Sequence, residues 1–113
     1  MVTSLSVISY DEFMKMDLRV CRVVRAERIP GRSKLLKLAV DVGEDKLRTL
    51  VAGAARYYPP EYFIGKNFVL VANLMPKRIA GVESMGMLLA ADFKGKPYWL
   101  LVDESVPPGT KIR

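Results

Sequence analysis

The fold is decided by residues 17–51, and above all by the alternating stretch that opens them, Asp17-Leu18-Arg19-Val20-Cys21-Arg22-Val23-Val24-Arg25-Ala26. Successive side chains of a strand point to opposite faces of a sheet, so this alternation predicts a strand. One face would carry Leu18, Val20, Val24 and Ala26, and the other Arg19, Cys21, Val23 and Arg25. The Val23-Val24 doublet predicts a bulge at which the strand changes sides. A long, bent first strand can serve both halves of a small barrel.

Further strands follow at short intervals. Residues 36–42 alternate apolar and polar side chains, Gly43-Glu44-Asp45 predicts a hairpin turn, and residues 47–51 alternate again. Pro59 and Pro60 suit the first turn of a short helix, which Gly65 would end. Later strands are predicted from apolar runs at residues 68–72, 87–91 and 98–102. Because the run at 87–91 is apolar on both faces, we expect that strand to be buried.

A short helix precedes the strands. Ser9 can accept a hydrogen bond from the amide three residues on, and Glu12 can reach back, which makes a capping box. A chain of 113 residues is long enough for one domain. We therefore predict one all-β domain over residues 1–113. It would be a five-stranded OB-fold (oligonucleotide-binding) barrel with a short N-terminal helix, a short helix between strands 3 and 4, and a C-terminal extension.

The composition favours an acidic partner. Eighteen Lys and Arg against twelve Asp and Glu leave a net charge of +6, which fits nucleic acid or an anionic surface. No apolar run approaches the roughly 20 residues that span a bilayer. Residues 1–5 lack the basic and apolar regions of a signal peptide. We expect a cytoplasmic protein that does not bind a membrane.

The residue types argue against catalysis. The chain contains no histidine and a single cysteine, Cys21, so a Ser-His mechanism, a zinc site and an internal disulfide are all excluded. Cys21 itself is expected to be a small apolar residue of the sheet. The glycines between Gly81 and Gly86 have the wrong spacing for a nucleotide-binding loop. The sequence therefore predicts a protein that is not an enzyme and needs no metal or cofactor.

Basic residues on the strands suggest a binding surface. Arg19, Arg25, Lys37 and Arg48 would align across one face of the barrel, with Arg32 and Lys34 in a loop at its edge. Such a surface can follow a phosphate backbone, although an ordinary solvated face has the same composition. Tyr57, Tyr58 and Tyr62 cluster near the short helix instead of alternating with the basic positions. This pattern favours recognition of backbone and shape over recognition of bases.

A resemblance enters at residues 73–90, which read Asn-Leu-Met-Pro-Lys-Arg-Ile-Ala-Gly-Val-Glu-Ser-Met-Gly-Met-Leu-Leu-Ala. This segment closely resembles the signature of the tRNA-binding OB domain found in methionyl-tRNA synthetases, in endothelial monocyte-activating polypeptide and in free-standing tRNA-binding proteins. The specific part is the run from Gly81 to Met87. Residues 17–20, 57–65 and 106–112 match the same family, so the resemblance covers nearly the whole chain.

The resemblance implies binding to the outer corner of tRNA, largely without sequence preference. It implies contacts from Asn73, Lys77, Arg78, Ser84 and Met87, with Lys34 from the loop. The residue types suit this: Lys77 and Arg78 are adjacent cations, and Gly81 and Gly86 permit a close approach of the backbone to a sugar-phosphate chain. Met87 has an equally good reading as a packing residue of a buried strand. The residues at 29–35 and 52–53 depart from the usual pattern of the family, which puts contacts from those loops in doubt.

The partner and the assembly follow from the same resemblance. We expect the chain, which starts at its own methionine, to serve methionyl-tRNA synthetase as a separate subunit. The alternative is a CsaA-like secretion-related chaperone that binds unfolded polypeptide on the same fold. A structural dimerisation domain is a third reading, but it leaves the basic face unexplained. A homodimer is expected because one small barrel would not bury all the apolar residues near its ends, namely Phe13, Met14, Met16, Tyr98 and Trp99.

Overall fold

Short strands dominate the structure, a computed structural model that describes residues 6–113. Residues 1–5, whose sequence lacks the features of a signal peptide, lie outside the described part. The α-helix α1 (Tyr10–Met14) comes first, and a 3₁₀ helix (Pro60–Tyr62) follows the third strand. The strands are β1 (Leu18–Ile29), β2 (Arg32–Asp41), β3 (Arg48–Ala52), β4 (Asn67–Val71), β5 (Lys77–Ile79), β6 (Val82–Ser84), β7 (Met87–Leu88), β8 (Ala90–Phe93), β9 (Lys96–Trp99), β10 (Leu101–Val102) and β11 (Lys111–Ile112).

The main sheet has the order β10-β4-β1-β2-β3, with β11 on β1 and β7 on β4, and all its pairs are antiparallel. The all-β prediction is confirmed. Two hairpins, β5–β6 and β8–β9, form separate two-stranded sheets. The main sheet is not closed into a barrel: among the described residues, β3 has a ladder partner on one side only. Between β3 and the start of β7, a single backbone bond from the Met85 amide to the Thr49 carbonyl, 2.9 Å, spans the gap.

Strand β1 contributes to two halves of the sheet. Its first half pairs with β4, from Leu18 opposite Val71 to Arg22 opposite Asn67, and its second half pairs with β2. The register shifts between Val23 and Arg25, so the predicted bulge is confirmed. The predicted faces are correct only at the start, because Val20, Cys21 and Val23 are all buried while Val24 is exposed. Burial changes from even to odd positions between Val20 and Cys21, ahead of the bulge, while both residues still pair with β4.

Aromatic rings fill the centre of the core. Phe63, which follows the 3₁₀ helix, stacks on Phe68 of β4 with ring centroids 5.6 Å apart. Trp99 meets both rings edge-on at 5.5 and 6.0 Å. Cys21 is buried beside them, and burial raises the pKa of its thiol to about 12. Cys21 is therefore a packing residue whose thiol stays protonated, as its place in an apolar strand predicted.

The helical segments follow their local signals. Ser9 caps α1: its hydroxyl accepts from the Glu12 amide and the Glu12 carboxylate accepts from the Ser9 amide, both at 3.1 Å. The capping box is confirmed. The two prolines begin a single 3₁₀ turn where a short helix was predicted. No helix of residues 6–113 is long and apolar enough to cross a membrane.

The prediction of a buried strand at residues 87–91 was wrong. In this run β7 pairs with β4 for two residues only, and β8 then leaves the main sheet to pair with β9. Leu88 is buried, but Met87 is 50% exposed and Ala91 is exposed too. An apolar run of this kind cannot show from sequence alone that its strand is so short.

Candidate nucleic-acid interface

Lys77 and Arg78 lie on a small hairpin. Strands β5 and β6 pair Lys77 with Ser84 and Arg78 with Glu83, and the turn between them is Ala80-Gly81. Both turn residues have positive φ, 52° and 78°, the geometry of a two-residue type I′ turn. The segment that follows Pro76 is therefore a short strand. Both cationic side chains are exposed.

An apolar groove runs beside this hairpin. It has a volume of about 400 Å³, and its lining includes Val51, Leu74, Met75, Lys77, Ile79, Ser84, Gly86 and Met87. Three of the predicted contact residues, Lys77, Ser84 and Met87, therefore meet at one site. Met75 is 89% exposed and Met87 half exposed. Because Met87 faces the groove, its truncation should affect ligand contact more than core packing, contrary to the expectation for a buried strand.

The Ser84 hydroxyl is already hydrogen-bonded inside the protein. The residue is buried, its oxygen accepts from the Val51 amide at 3.0 Å, and its hydroxyl donates to the Gly86 carbonyl at 3.4 Å. These bonds attach the end of β6 to the edge of β3. Ser84 therefore shapes the wall of the groove.

Asn73 also has structural hydrogen bonds. Its side-chain oxygen accepts from the Asp17 amide at 2.9 Å, and its side-chain nitrogen donates to the Lys15 carbonyl at 2.7 Å. The amide thus joins the end of β4 to the segment between α1 and β1. Asn73 also lies at the start of the connection that leads into the β5–β6 hairpin.

Arg48 joins three parts of the chain. Its guanidinium donates two hydrogen bonds of 3.0 Å to the Glu44 carboxylate, one of 2.6 Å to the Ala72 carbonyl and one of 3.2 Å to the Met85 carbonyl. Its hydrogen bonds with Glu44 hold the pKa of that carboxyl below its ordinary value. With its side chain only 19% exposed, Arg48 is already committed to the fold.

Arg19 is held at the sheet edge by an acid. Its Nε lies 3.0 Å from the Asp17 carboxylate, and Lys111 reaches the same carboxylate at 3.1 Å. The hydrogen bond from Arg19 is the largest cause of the lowered pKa of Asp17. This cluster ties β11 and β1 together, and about a third of the Arg19 side chain is left exposed.

The remaining predicted cations lie on the β1–β2 ribbon. Arg32 and Lys34, which were predicted in a loop, lie on β2 beside the turn and are exposed. Arg25 on β1, opposite Ala39, is exposed as well. Lys37 lies 3.9 Å from Glu27 across the ribbon, a distance at which the pair is weak. The predicted cations that are exposed and outside the ion pairs of the described residues are thus Arg25, Arg32, Lys34, Lys77 and Arg78.

A second cavity was not foreseen from the sequence. It measures about 230 Å³, lies between β3 and β7, and is lined by Leu50, Val51, Ala52, Gly53, Met87, Leu88 and Trp99. Val51 and Met87 line both cavities, so the two are neighbours along the free edge of β3. The arrangement depends on the unclosed sheet, which no local sequence signal indicates.

Comparison with known proteins identifies the family. Residues 18–111 match the family described as "Putative tRNA binding domain". The chain belongs to this tRNA-binding domain family. The matched range contains all the predicted contact residues and the main sheet except Ile112, the last residue of β11.

Several curated relatives of the chain are larger proteins, the methionine–tRNA ligases. The chain is 50% identical over 106 residues to the methionine–tRNA ligase of Methanocella arvoryzae. The aligned region covers 94% of this chain and 15% of the ligase. The chain thus spans about a sixth of the length of the curated relatives it matches. The match is to a binding domain and not to a catalytic one.

Two solved structures are similar over nearly their whole length. The MetRS-related protein from Pyrococcus horikoshii is 44% identical with a TM-score of 0.89, over 95% of this chain and 98% of that one. The chaperone CsaA from Bacillus anthracis is 32% identical with a TM-score of 0.83, over 95% and 99%. Both functions considered from the sequence are therefore represented among proteins of this fold.

Proposed function

We propose that this chain binds tRNA by its shape and phosphate backbone, with little preference for sequence. The observation that carries the proposal is the match of residues 18–111 to the tRNA-binding family, combined with exposed cations on the β5–β6 hairpin and the β1–β2 ribbon. Cations that have no acidic partner of their own are free to neutralise phosphates. Arg19, Arg48, Asn73 and Ser84 make hydrogen bonds to other parts of the protein and so support the surrounding structure.

We also propose that the chain is a single domain with an OB-type barrel. The strand order β4-β1-β2-β3 and the 3₁₀ helix between β3 and β4 support this description. The Met85–Thr49 hydrogen bond lies where the last strand of such a barrel would join β3. Closure is incomplete because β7 is only two residues long and gives β3 too few residues to pair with.

The proposed partner protein is methionyl-tRNA synthetase, in the cytoplasm. The similarity to methionine–tRNA ligases and to a MetRS-related protein supports this assignment. As a separate subunit the domain would raise the concentration of tRNA near the catalytic protein, because tethering makes a second binding event intramolecular.

The proposal predicts strongly salt-dependent binding of bulk tRNA. If about four to six phosphates are contacted, the logarithm of affinity should fall against the logarithm of salt concentration with a slope of about −3 to −5. Replacing Lys77 and Arg78 together by alanine should make that slope about 1.5 units shallower and weaken binding. Both side chains are exposed, so the melting temperature should hardly change.

A matched control for this double variant is Lys46→Ala/Arg113→Ala. It removes the same two charges from exposed positions that are not among the proposed contacts. Gel-shift titrations at three or four salt concentrations measure both variants beside the wild type. Equal salt slopes for the two double variants would remove the β5–β6 hairpin from the binding site.

A homodimer is the second expected result. Val7, Ile8, Tyr10 and Met16 around α1 are exposed apolar side chains, which a second copy of the chain could cover. Phe13 and Met14 are half-buried, whereas Trp99 packs against the core and is not available. Light scattering at micromolar concentration should give twice the mass of one chain, and Val7→Ser/Ile8→Ser should shift it towards the monomer. The mass of a single chain for the wild type would contradict this expectation.

Polypeptide binding of the chaperone kind is the second candidate function. The methionine-lined groove favours it, because flexible methionine side chains adapt to many apolar partners. The salt titration separates the two functions. A flat salt response, together with capture of an unfolded polypeptide in preference to tRNA, would favour the chaperone function.

A further inference from the structure

The tip of the β8–β9 hairpin interleaves aromatic and basic side chains. It reads Phe93-Lys94-Gly95-Lys96-Pro97-Tyr98, in which Phe93 is 60% and Tyr98 44% exposed. The two ring centroids are 6.3 Å apart. The ammonium of Lys94 lies 5.4 Å from the Phe93 centroid, and that of Lys96 lies 5.1 Å from the Tyr98 centroid. Two exposed rings and two cations thus form one patch.

The turn holds a lysine in an unfavourable backbone conformation. Lys94 and Gly95 have φ of 53° and 83°, and the Asp92 carboxylate accepts from the Gly95 amide at 3.1 Å. The first position of such a turn favours Asn, Asp or Gly, and a lysine there is strained. Since Asn would make a better turn, the cation at the tip is not explained by the stability of the hairpin.

The patch continues the surface proposed for tRNA. The groove beside Lys77 and the second cavity share Val51 and Met87, and the second cavity reaches Trp99. Trp99 is the last residue of β9, opposite Ala90 at the base of the hairpin. The surface is therefore continuous from the β5–β6 hairpin to the base of the β8–β9 hairpin.

We infer that the β8–β9 hairpin tip is a second contact site for RNA, where unpaired bases stack on Phe93 and Tyr98. Lys94 and Lys96 would neutralise the adjoining phosphates. Every base has an aromatic face, so stacking contributes affinity without demanding a particular sequence. The inference rests on the proposed function and adds a base-stacking component to it.

Charge favours RNA over a second copy of the chain at this patch. The tip carries two lysines, and its nearest acid, Asp92, is engaged with the turn. In a two-fold interface centred on the tip, the lysines of one copy would face those of the other, whereas a polyanion would be attracted. The surface proposed for the homodimer, Val7, Ile8, Tyr10 and Met16, lies around α1.

Replacing Phe93 tests the stacking. Phe93→Ala should weaken binding of bulk tRNA by about 5- to 150-fold, the range found when a stacking ring is removed. Phe93→Leu keeps an apolar side chain but no ring, so it should lose most of the same affinity. The salt slope should not change, since no charge is removed. Ile64→Ala, which truncates another exposed apolar side chain, is the control and should bind as the wild type does.

Lys94→Asn separates function from stability. It should make the salt slope shallower by about 0.7 to 0.9 while leaving the melting temperature equal or higher. If both Phe93 variants bind tRNA like the wild type while Lys77→Ala/Arg78→Ala is impaired, the hairpin inference fails and the proposed function stands. If the wild type itself does not bind tRNA, both fail. If Phe93→Leu lowers the mass found by light scattering, the tip is a contact between proteins and the inference is overturned.

Discussion

Gly86→Ala should lower the free energy of unfolding by about 2–5 kcal/mol, through backbone strain and overpacking together. Gly86 has φ of 134°, a conformation that residues with a side chain rarely adopt. An added Cβ would lie 2.8 Å from Leu70 Cδ1 and 3.0 Å from the Val71 carbonyl oxygen. Leu70 is buried and Val71 belongs to the central strand β4, so neither can move away easily.

Alanine substitutions at two other glycines separate backbone strain from overpacking. Gly81→Ala has a positive φ but nothing within 4 Å of the new Cβ, so it measures strain alone. Gly53→Ala has neither the positive φ nor a close neighbour and should be neutral. Urea unfolding of the three variants should give the order Gly86→Ala, Gly81→Ala, Gly53→Ala from least to most stable. A Gly86→Ala variant as stable as Gly53→Ala would show that the connection between β6 and β7 moves freely.

This result bears on how the glycine-containing run should be interpreted. From the sequence, Gly81 and Gly86 were expected to let an RNA backbone approach closely. The structure explains both glycines without a ligand, because Gly81 completes a type I′ turn and Gly86 packs against β4. Glycines shared with a family can therefore reflect the fold as well as the ligand.

Local patterns predicted local structure well. The capping box at Ser9 and the bulge in β1 each depend on side chains within a few residues of one another, and both are found. The failures arose where long-range pairing decides. Apolar residues at 87–91 predicted a buried strand, but burial depended on how many residues of β4 and β3 were available to pair. Alternation in β1 could not show that its two halves have different partners.

The candidate site shows the same contrast between local patterns, which the sequence reveals, and long-range pairing, which it does not. Lys77, Arg78, Arg32 and Lys34 are exposed, as cations in turns and short hairpins usually are. Asn73 and Ser84 have polar partners up to 58 residues away in the chain, and no sequence pattern shows those pairings. The β8–β9 tip did have a sequence signal, because Phe93 and Tyr98 flank two lysines. Its significance depended on the rings being exposed, and that required the structure.

Arg48 tests this contrast between sequence patterns and long-range contacts. The sequence predicted that Arg48 contacts phosphate, whereas the structure gives its guanidinium four acceptor atoms within the protein. Arg48→Ala would leave the Ala72 and Met85 carbonyls without this donor and Glu44 without its partner. Because hydrogen bonds to a charged group and an ion pair of limited exposure are lost, the free energy of unfolding should fall by about 2–4 kcal/mol. Arg48→Lys keeps the charge but cannot reproduce the fork, so it should recover only a small part of that loss.

The measurements for Arg48 are the melting temperature and the salt dependence of tRNA binding, taken together. A loss of this size in a domain of about 110 residues should lower the melting temperature by roughly 10 to 20 °C. Lys46→Ala is the matched control, since it removes an exposed charge from the same β2–β3 turn and should leave the melting temperature nearly unchanged. At a temperature where the Arg48 variants are folded, their salt slope should equal that of the wild type, because the guanidinium faces protein carbonyls and a carboxylate. A slope shallower by about 0.7 to 0.9 with little loss of stability would instead place Arg48 on the RNA backbone.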